Sequence, residues 1–205
     1  MAKALLVDTN FSSAPIYSVL QDLGYDVHVV GSNPIDALAK SAKNFWNIDY
    51  SDTTALYDLI ERENFDYLVP GCTDRSYKSC AFVSRGRFPG IETPDIEHGI
   101  HNKEKFRVIA EKLDLPIPER QNINNNTLDY PIIIKPADSY SGKGITVMRT
   151  PNQQTLNDAI ELAKATSPTK EYIVEKFING DLYSHNAFLK NQTAVNNFFV
   201  KENST

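Results

Sequence analysis

Cysteine is scarce in this chain of 205 residues: only Cys72 and Cys80 are present. They could pair in principle, but nothing marks the chain for secretion, so both are expected as reduced thiols. Long apolar runs are missing too. No stretch approaches the roughly 20 residues of a membrane-spanning helix. The apolar run at residues 4–7 is too short for a secretory core. A cytoplasmic protein with no membrane partner is expected. An excess of positive charge is also lacking. The formal net charge is -5 and the pI is near 5.4, which argues against nucleic acid or an anionic lipid surface as the main partner. A local basic pocket for a nucleotide stays compatible with that charge. There is no internal repeat, and no G-x-G-x-x-G, which excludes the usual dinucleotide-binding site. His28, His98, His101 and His185 show no zinc spacing, so no metal ligand is assigned.

What the chain does have is ordinary globular material, 41% hydrophobic and 23% charged, enough for one and a half to two lobes. Strand and helix patterns alternate from the start. Residues 3–8 (K-A-L-L-V-D) read as a strand, 13–23 as a helix stopped by Gly24, and 25–30 as a second strand. A short helix at 38–43 and a weaker strand at 47–50 follow. Asp52 is placed to cap a helix at 53–64, ahead of a strand at 67–70 and a helix at 76–84. Such alternation predicts a doubly wound parallel sheet ending near residue 100. Ligands of these sheets sit at the carboxyl ends of the strands. Two loops qualify there, with Asn10, Phe11 and Ser12 in one and Asp74 and Arg75 in the other. The same polar residues also serve turns and caps.

Residues 102–113 form the clearest helix, capped by Asn102 and ended by Pro116 and Pro118. Residues 121–129 are polar and read as a linker. From 130 onward the order is β-β-α-β-β-β, an α+β lobe. Its opening stretch, 130–148, is Y-P-I-I-I-K-P-A-D-S-Y-S-G-K-G-I-T-V-M. A β-branched run ends at Lys135, and Pro136 is expected to stop the ladder. A small polar loop with Gly142, Lys143 and Gly144 leads to a second strand at 145–148. Glycines let a backbone approach an anion and turn its N–H groups inward, while lysines add charge, so the hairpin suggests a phosphate site. A solvated surface hairpin is the plain alternative. The P-loop is excluded, because Ala137 replaces its first Gly, Gly144 follows the Lys, and a strand rather than a helix comes next.

Three segments in order, N-K with its helix and L-P-I-P, then P-I-I-I-K-P with G-K-G, then Y-I-V-E-K-F-I-N-G, resemble the ATP-grasp superfamily. The nearest likeness is to its biotin carboxylase and carbamoyl-phosphate synthetase large-subunit branch, and it covers nearly the whole chain. The resemblance implies a pre-ATP-grasp domain at 1–100, a connecting helix and linker at 101–129, and the N-terminal lobe of the grasp at 130–205. It implies phosphate contacts from Lys103 and Lys135. It also implies a mobile flap containing Ser139, Ser141, Gly142, Lys143 and Gly144, and an adenine-reading edge at Glu175, Lys176, Phe177 and Ile178. Several converging cations are what a triphosphate needs, since one exposed lysine contributes little in water.

The implied activity is joining a small-molecule carboxylate to an amine or related nucleophile through an acyl phosphate, with ATP and Mg²⁺ as cofactors. The chain departs from the family at two points. Leu182 stands where many relatives place a ribose-binding Glu, with Asp181 one residue early, on the opposite strand face. The family's magnesium-binding Glu and Glu-x-Asn are expected beyond residue 205, and no catalytic residue is assigned within the chain. The alternative is a non-catalytic nucleotide- or small-ligand-binding remnant that serves as a partner or regulatory subunit. A binding module using only the first lobe ranks below both. Half of a grasp would expose apolar sheet surface, which implies a homodimer or a missing C-terminal segment.

Overall fold

The computed structural model describes residues 1–124, 127–140 and 142–202, arranged as two compact units, Met1–Leu115 and Pro116–Thr205. In the first unit a parallel sheet is laid down in the order β3-β2-β1-β4. Its strands are β1 (Lys3–Val7), β2 (Asp26–Gly31), β3 (Asn44–Asn47) and β4 (Tyr67–Pro70). Alternation along β1 sends Leu5 and Val7 into one apolar layer and Leu6 into the other. The first layer includes Val30, Leu56, Leu59, Ile60 and Phe65, and the second Tyr17, Val27, Val29 and Leu38. Both sheet faces are therefore covered, as the near-continuous apolar runs of parallel strands require. Each fully buried Leu or Ile contributes on the order of 2 kcal/mol of transfer free energy.

The helices follow capping chemistry. After a single 3-10 turn, Phe11–Ser13, α1 (Ala14–Asp22) begins with Pro15 in its first turn and ends before Gly24, whose φ is +81°. A short α2 spans Ala37–Ser41. Asp52 accepts from the Thr54 and Ala55 N–H groups to open α3 (Thr53–Glu63). Thr73 accepts from Ser76 N–H to open α4 (Asp74–Ser84), two residues earlier than its apolar spacing indicates. Strand β3 lies three residues ahead of its expected place, because Phe45 and Trp46 pair with Val29 and Val30. A helix not foreseen, α5 (Pro94–His101), precedes α6 (Lys103–Lys112), which Asn102 caps through the Lys105 N–H at 3.0 Å.

The second unit has a three-stranded antiparallel sheet ordered β6-β5-β7, from β5 (Ile132–Pro136), β6 (Thr146–Met148) and β7 (Tyr172–Lys176). Ile132, Ile134, Met148 and Val174 pack on Leu156, Ala159, Ile160 and Ala163 of α7 (Gln153–Thr166). Pro136 does not stop the ladder as expected. It pairs with Tyr172, and the next N–H, that of Ala137, donates to Glu171 O at 3.0 Å. A separate hairpin, β8 (Leu182–Lys190) and β9 (Thr193–Glu202), turns at Asn191 and Gln192, both at positive φ, as a two-residue turn of this hand requires. Every residue of β9 is exposed, Phe198, Phe199 and Val200 among them.

Candidate functional site

Lys135 is carried on β5, the central strand of the second unit's sheet. Its Nζ sits 2.6 Å from Oε2 of Glu175 on the neighbouring β7, and Glu175 is completely buried. The pair exists because β5 and β7 are antiparallel with Ile133 opposite Glu175 and Lys135 opposite Ile173, placing the two side chains diagonally on one sheet face, two rungs apart. A carboxylate in such a place is tolerated only when paired. The ion pair fixes the ammonium at the strand end, where the loop to β6 begins.

That loop is closed by Ser139 Oγ donating to Lys143 O at 3.1 Å. Gly142 and Gly144 hold φ of +70° and +73°, the left-handed region that glycine adopts without strain. Gly144 also has no room for a side chain: a Cβ there would lie 2.6 Å from Thr166 Oγ1 and 2.9 Å from Pro136 Cγ. The loop is thus pinned at its far end and open at Gly142, where no heavy atom lies within 4 Å of an added Cβ. Ser141 lies outside the described residues. Asp138, which sequence reading did not single out, accepts from Ser167 Oγ at 2.5 Å and Thr169 N–H at 3.3 Å, tying the loop base to the segment before β7.

The edge at Glu175, Lys176, Phe177 and Ile178 is partly occupied. The Lys176 N–H donates to Glu119 O and the Phe177 N–H to Pro131 O, both at 2.8 Å. Among the described hydrogen bonds none uses the Ile178 N–H, which leaves it available to a planar ligand. The Lys176 ammonium is held by the Asp129 carboxylate and by the Asp129 and Tyr130 carbonyls. Arg149 stands over the Phe177 ring at 5.7 Å. Asp181 accepts from Lys201 Nζ at 2.8 Å at the base of the β8–β9 hairpin. Strand β7, the end of β5 and the glycine loop therefore bring one lysine ammonium, a loop backbone and a free N–H into one lobe, a donor set suited to a nucleotide. Lys103 begins α6 in the first unit, half-buried beside the buried Asn102 cap. Among the described residues no three His, Cys, Asp or Glu side chains are grouped to hold a metal ion.

In the first unit the segments after β1 and β2, with the start of α4, frame a cleft of about 290 Å³. Asp8 is 3% exposed and accepts from Asn10 N–H at 3.0 Å and Ser13 Oγ at 3.0 Å. Gly71 makes this crossing feasible, since a Cβ there would lie 2.3 Å from that of Asp8. Asn10 lines the cleft and caps the 3-10 turn through Ser12, whereas Phe11 is 77% exposed. Arg75 reaches the cleft across the Tyr50 ring at 4.5 Å. The Tyr50 hydroxyl hydrogen bond raises the guanidinium's pKa above its ordinary value, outweighing partial burial. Asp74 faces away, into a second cavity.

Residues 102–185 match the family described as carbamoyl-phosphate synthase L chain, ATP binding domain. The chain is 28% identical over 187 residues to a formate-dependent phosphoribosylglycinamide formyltransferase of Sulfurovum sp. strain NBC37-1, covering 85% of this chain and 47% of that protein. It is 27% identical over 180 residues to the arginine-specific carbamoyl phosphate synthase large chain of Bacillus subtilis strain 168, covering 78% of this chain and 17% of that one. Its fold matches N5-carboxyaminoimidazole synthetase from Staphylococcus aureus complexed with ADP, with TM-score 0.75, 16% identity, all of this chain and 55% of that one. The chain thus spans about half, or less, of the length of these relatives.

Proposed function

We propose that the chain, matched over residues 102–185 by the carbamoyl-phosphate synthase ATP-binding domain, belongs to the ATP-grasp superfamily and supplies the nucleotide-binding first part of an ADP-forming carboxylate–amine ligase. The observation that carries this reading is the arrangement within the second unit: Lys135 fixed by Glu175, followed by a glycine loop and flanked by the β7 edge. In this reading 1–100 is the pre-ATP-grasp domain, 101–129 the connector and 130–205 the first lobe of the grasp. Lys135 and Lys103 neutralise phosphate charge. Ser139, Gly142, Lys143 and Gly144 cover the phosphates with backbone N–H groups, and the Ile178 N–H reads the adenine edge. Asp181 takes the ribose. Mg²⁺, held by carboxylates outside residues 1–205, supplies the remaining charge neutralisation. The carboxylate substrate accepts the γ-phosphoryl group as an acyl phosphate, and the amine displaces phosphate from it. Asn10, Ser12 and Arg75 select the acid, with the Arg75 guanidinium as its counter-ion. A cytoplasmic setting fits these small-molecule substrates and the fact that, among the described residues, no helix is long and apolar enough to cross a membrane.

The test is calorimetric titration with ATP and Mg²⁺, comparing the wild type with Lys143→Ala and Lys135→Ala. Micromolar binding that weakens about tenfold or more in Lys143→Ala, and is lost in a folded Lys135→Ala, is expected. Unchanged binding in both variants would remove the phosphate assignment.

A further inference from the structure

The loop from β4 to α4 borders two cavities, and only one of them holds an arginine. The other, about 380 Å³, lies between this loop and α5, and Asp74, Glu92 and Glu97 line it. No lysine or arginine is among its lining residues. An acidic surface cluster is commonplace, but Glu97 is not at the surface: its side chain is 5% exposed. Helix α5 starts at Pro94 under the Thr93 cap, and its first turn carries Glu97 inward. Oxygen Oε1 of Glu97 is buried with no hydrogen-bond partner. His101 Nδ1 lies 3.1 Å from that oxygen, but its aligned hydrogen bond goes to the Glu97 carbonyl, also at 3.1 Å. His101 Nε2 stands 3.8 Å from Asp74, and the Tyr77 hydroxyl donates to Glu92.

A buried carboxylate oxygen without a donor costs several kcal/mol, unless a ligand fills its place. The volume suits a small molecule rather than a bare ion. The carboxylates are also not grouped as a metal site, since no such cluster occurs among the described residues. A primary ammonium brings three N–H donors and one positive charge. The Tyr77 ring and the exposed Ile100 add an apolar wall to the cavity, which an alkyl chain would cover and over which a cation is attracted. We propose that this cavity binds a small primary ammonium compound with a short apolar body, Glu97 being its main counter-ion. Only the further step, that this compound is the nucleophile of the ligase, rests on the function proposed above. The acid would then lie on the Arg75 side of the loop and the amine on the Glu97 side, with Thr73 lining both cavities.

The experiment is a titration of the ¹⁵N-labelled chain with n-butylammonium, with n-butanol and butyrate as controls. Saturable shifts of amides in residues 71–74 and 97–101 are expected with butylammonium alone. Glu97→Gln, nearly isosteric, should weaken that binding about tenfold or more. Should it fail to fold, Asp74→Asn carries the same test from the exposed side. An equal response to all three probes overturns the proposal. So do unchanged affinity in the folded variants and saturation of the same amides by Mg²⁺ alone at lower concentration. Titration with ADP and Mg²⁺, read at residues 132–136 and 173–178, reports the nucleotide site separately, so either reading can fail while the other stands.

Discussion

The ammonium of Lys135 and the carboxylate of Glu175 form an ion pair on the fully buried carboxylate. Removing the lysine alone takes a counter-ion from that buried charge. Lys135→Ala should therefore lower stability by about 3–5 kcal/mol in urea unfolding. The double variant Lys135→Met with Glu175→Gln should recover much of that loss while leaving no cation for phosphate. Loss of nucleotide binding in the single variant is informative only beside this comparison. Glu97 runs the other way. Its buried oxygen accepts no hydrogen bond, so Glu97→Gln, measured without added ammonium, should raise stability by about 1 kcal/mol or more while weakening ammonium binding. Lys135 was legible in the sequence because a β-branched run ends on it and glycines follow. Its bond to Glu175 was not, since it depends on which rung of β7 faces Ile133. The importance of Glu97 was equally hidden, because an acid one turn into a helix ordinarily faces water.

At the level of elements, most boundaries followed local chemistry. The caps at Asp52 and Asn102 and the stop at Gly24 fall where the sequence places them. Helix α5 escaped because Gly99 interrupts its pattern. Yet Thr93, Pro94 and the acids of the first turn were a readable start signal. Gly99 serves close packing instead: a Cβ there would lie 3.3 Å from Ile109 Cδ1 of α6. The misplaced β3 shows why a short strand is hard to fix from pattern alone: its register is set by its partner β2. Two outcomes belong here. Gly144→Ala should destabilise the β5–β6 hairpin by about 1–3 kcal/mol, from a left-handed backbone and a blocked Cβ, and should weaken nucleotide binding with it. The β8–β9 hairpin exposes Phe188, Leu189, Phe198 and Phe199, so the chain should self-associate in size-exclusion chromatography. Replacing Leu189 and Phe199 by Ser should shift it toward monomer, and a clean monomer in the wild type would sink the expectation.

The molecule as a whole has separate apolar cores in its two units, so its unfolding should not be a single transition. Trp46, the sole tryptophan, reports on the first unit. Its fluorescence and the far-ultraviolet signal of the whole chain should give non-coincident urea curves, and coincidence would show that the units unfold as one. The doubly wound first unit was legible as a class because both its sheet faces carry apolar runs. The extent of each compact unit was not, because the 121–129 segment reads as a linker by composition yet sends the Gln121 N–H to Val174 O at 2.8 Å. The two thiols carry one more consequence. Cys80 is buried, and burial pushes its pKa far up, whereas Cys72 is exposed on the rim of the acidic cavity. A maleimide dye should therefore label the native chain at one position without any engineering. Paired with Trp46 as energy donor, it would turn the unmodified sequence into its own optical sensor of what enters that cavity.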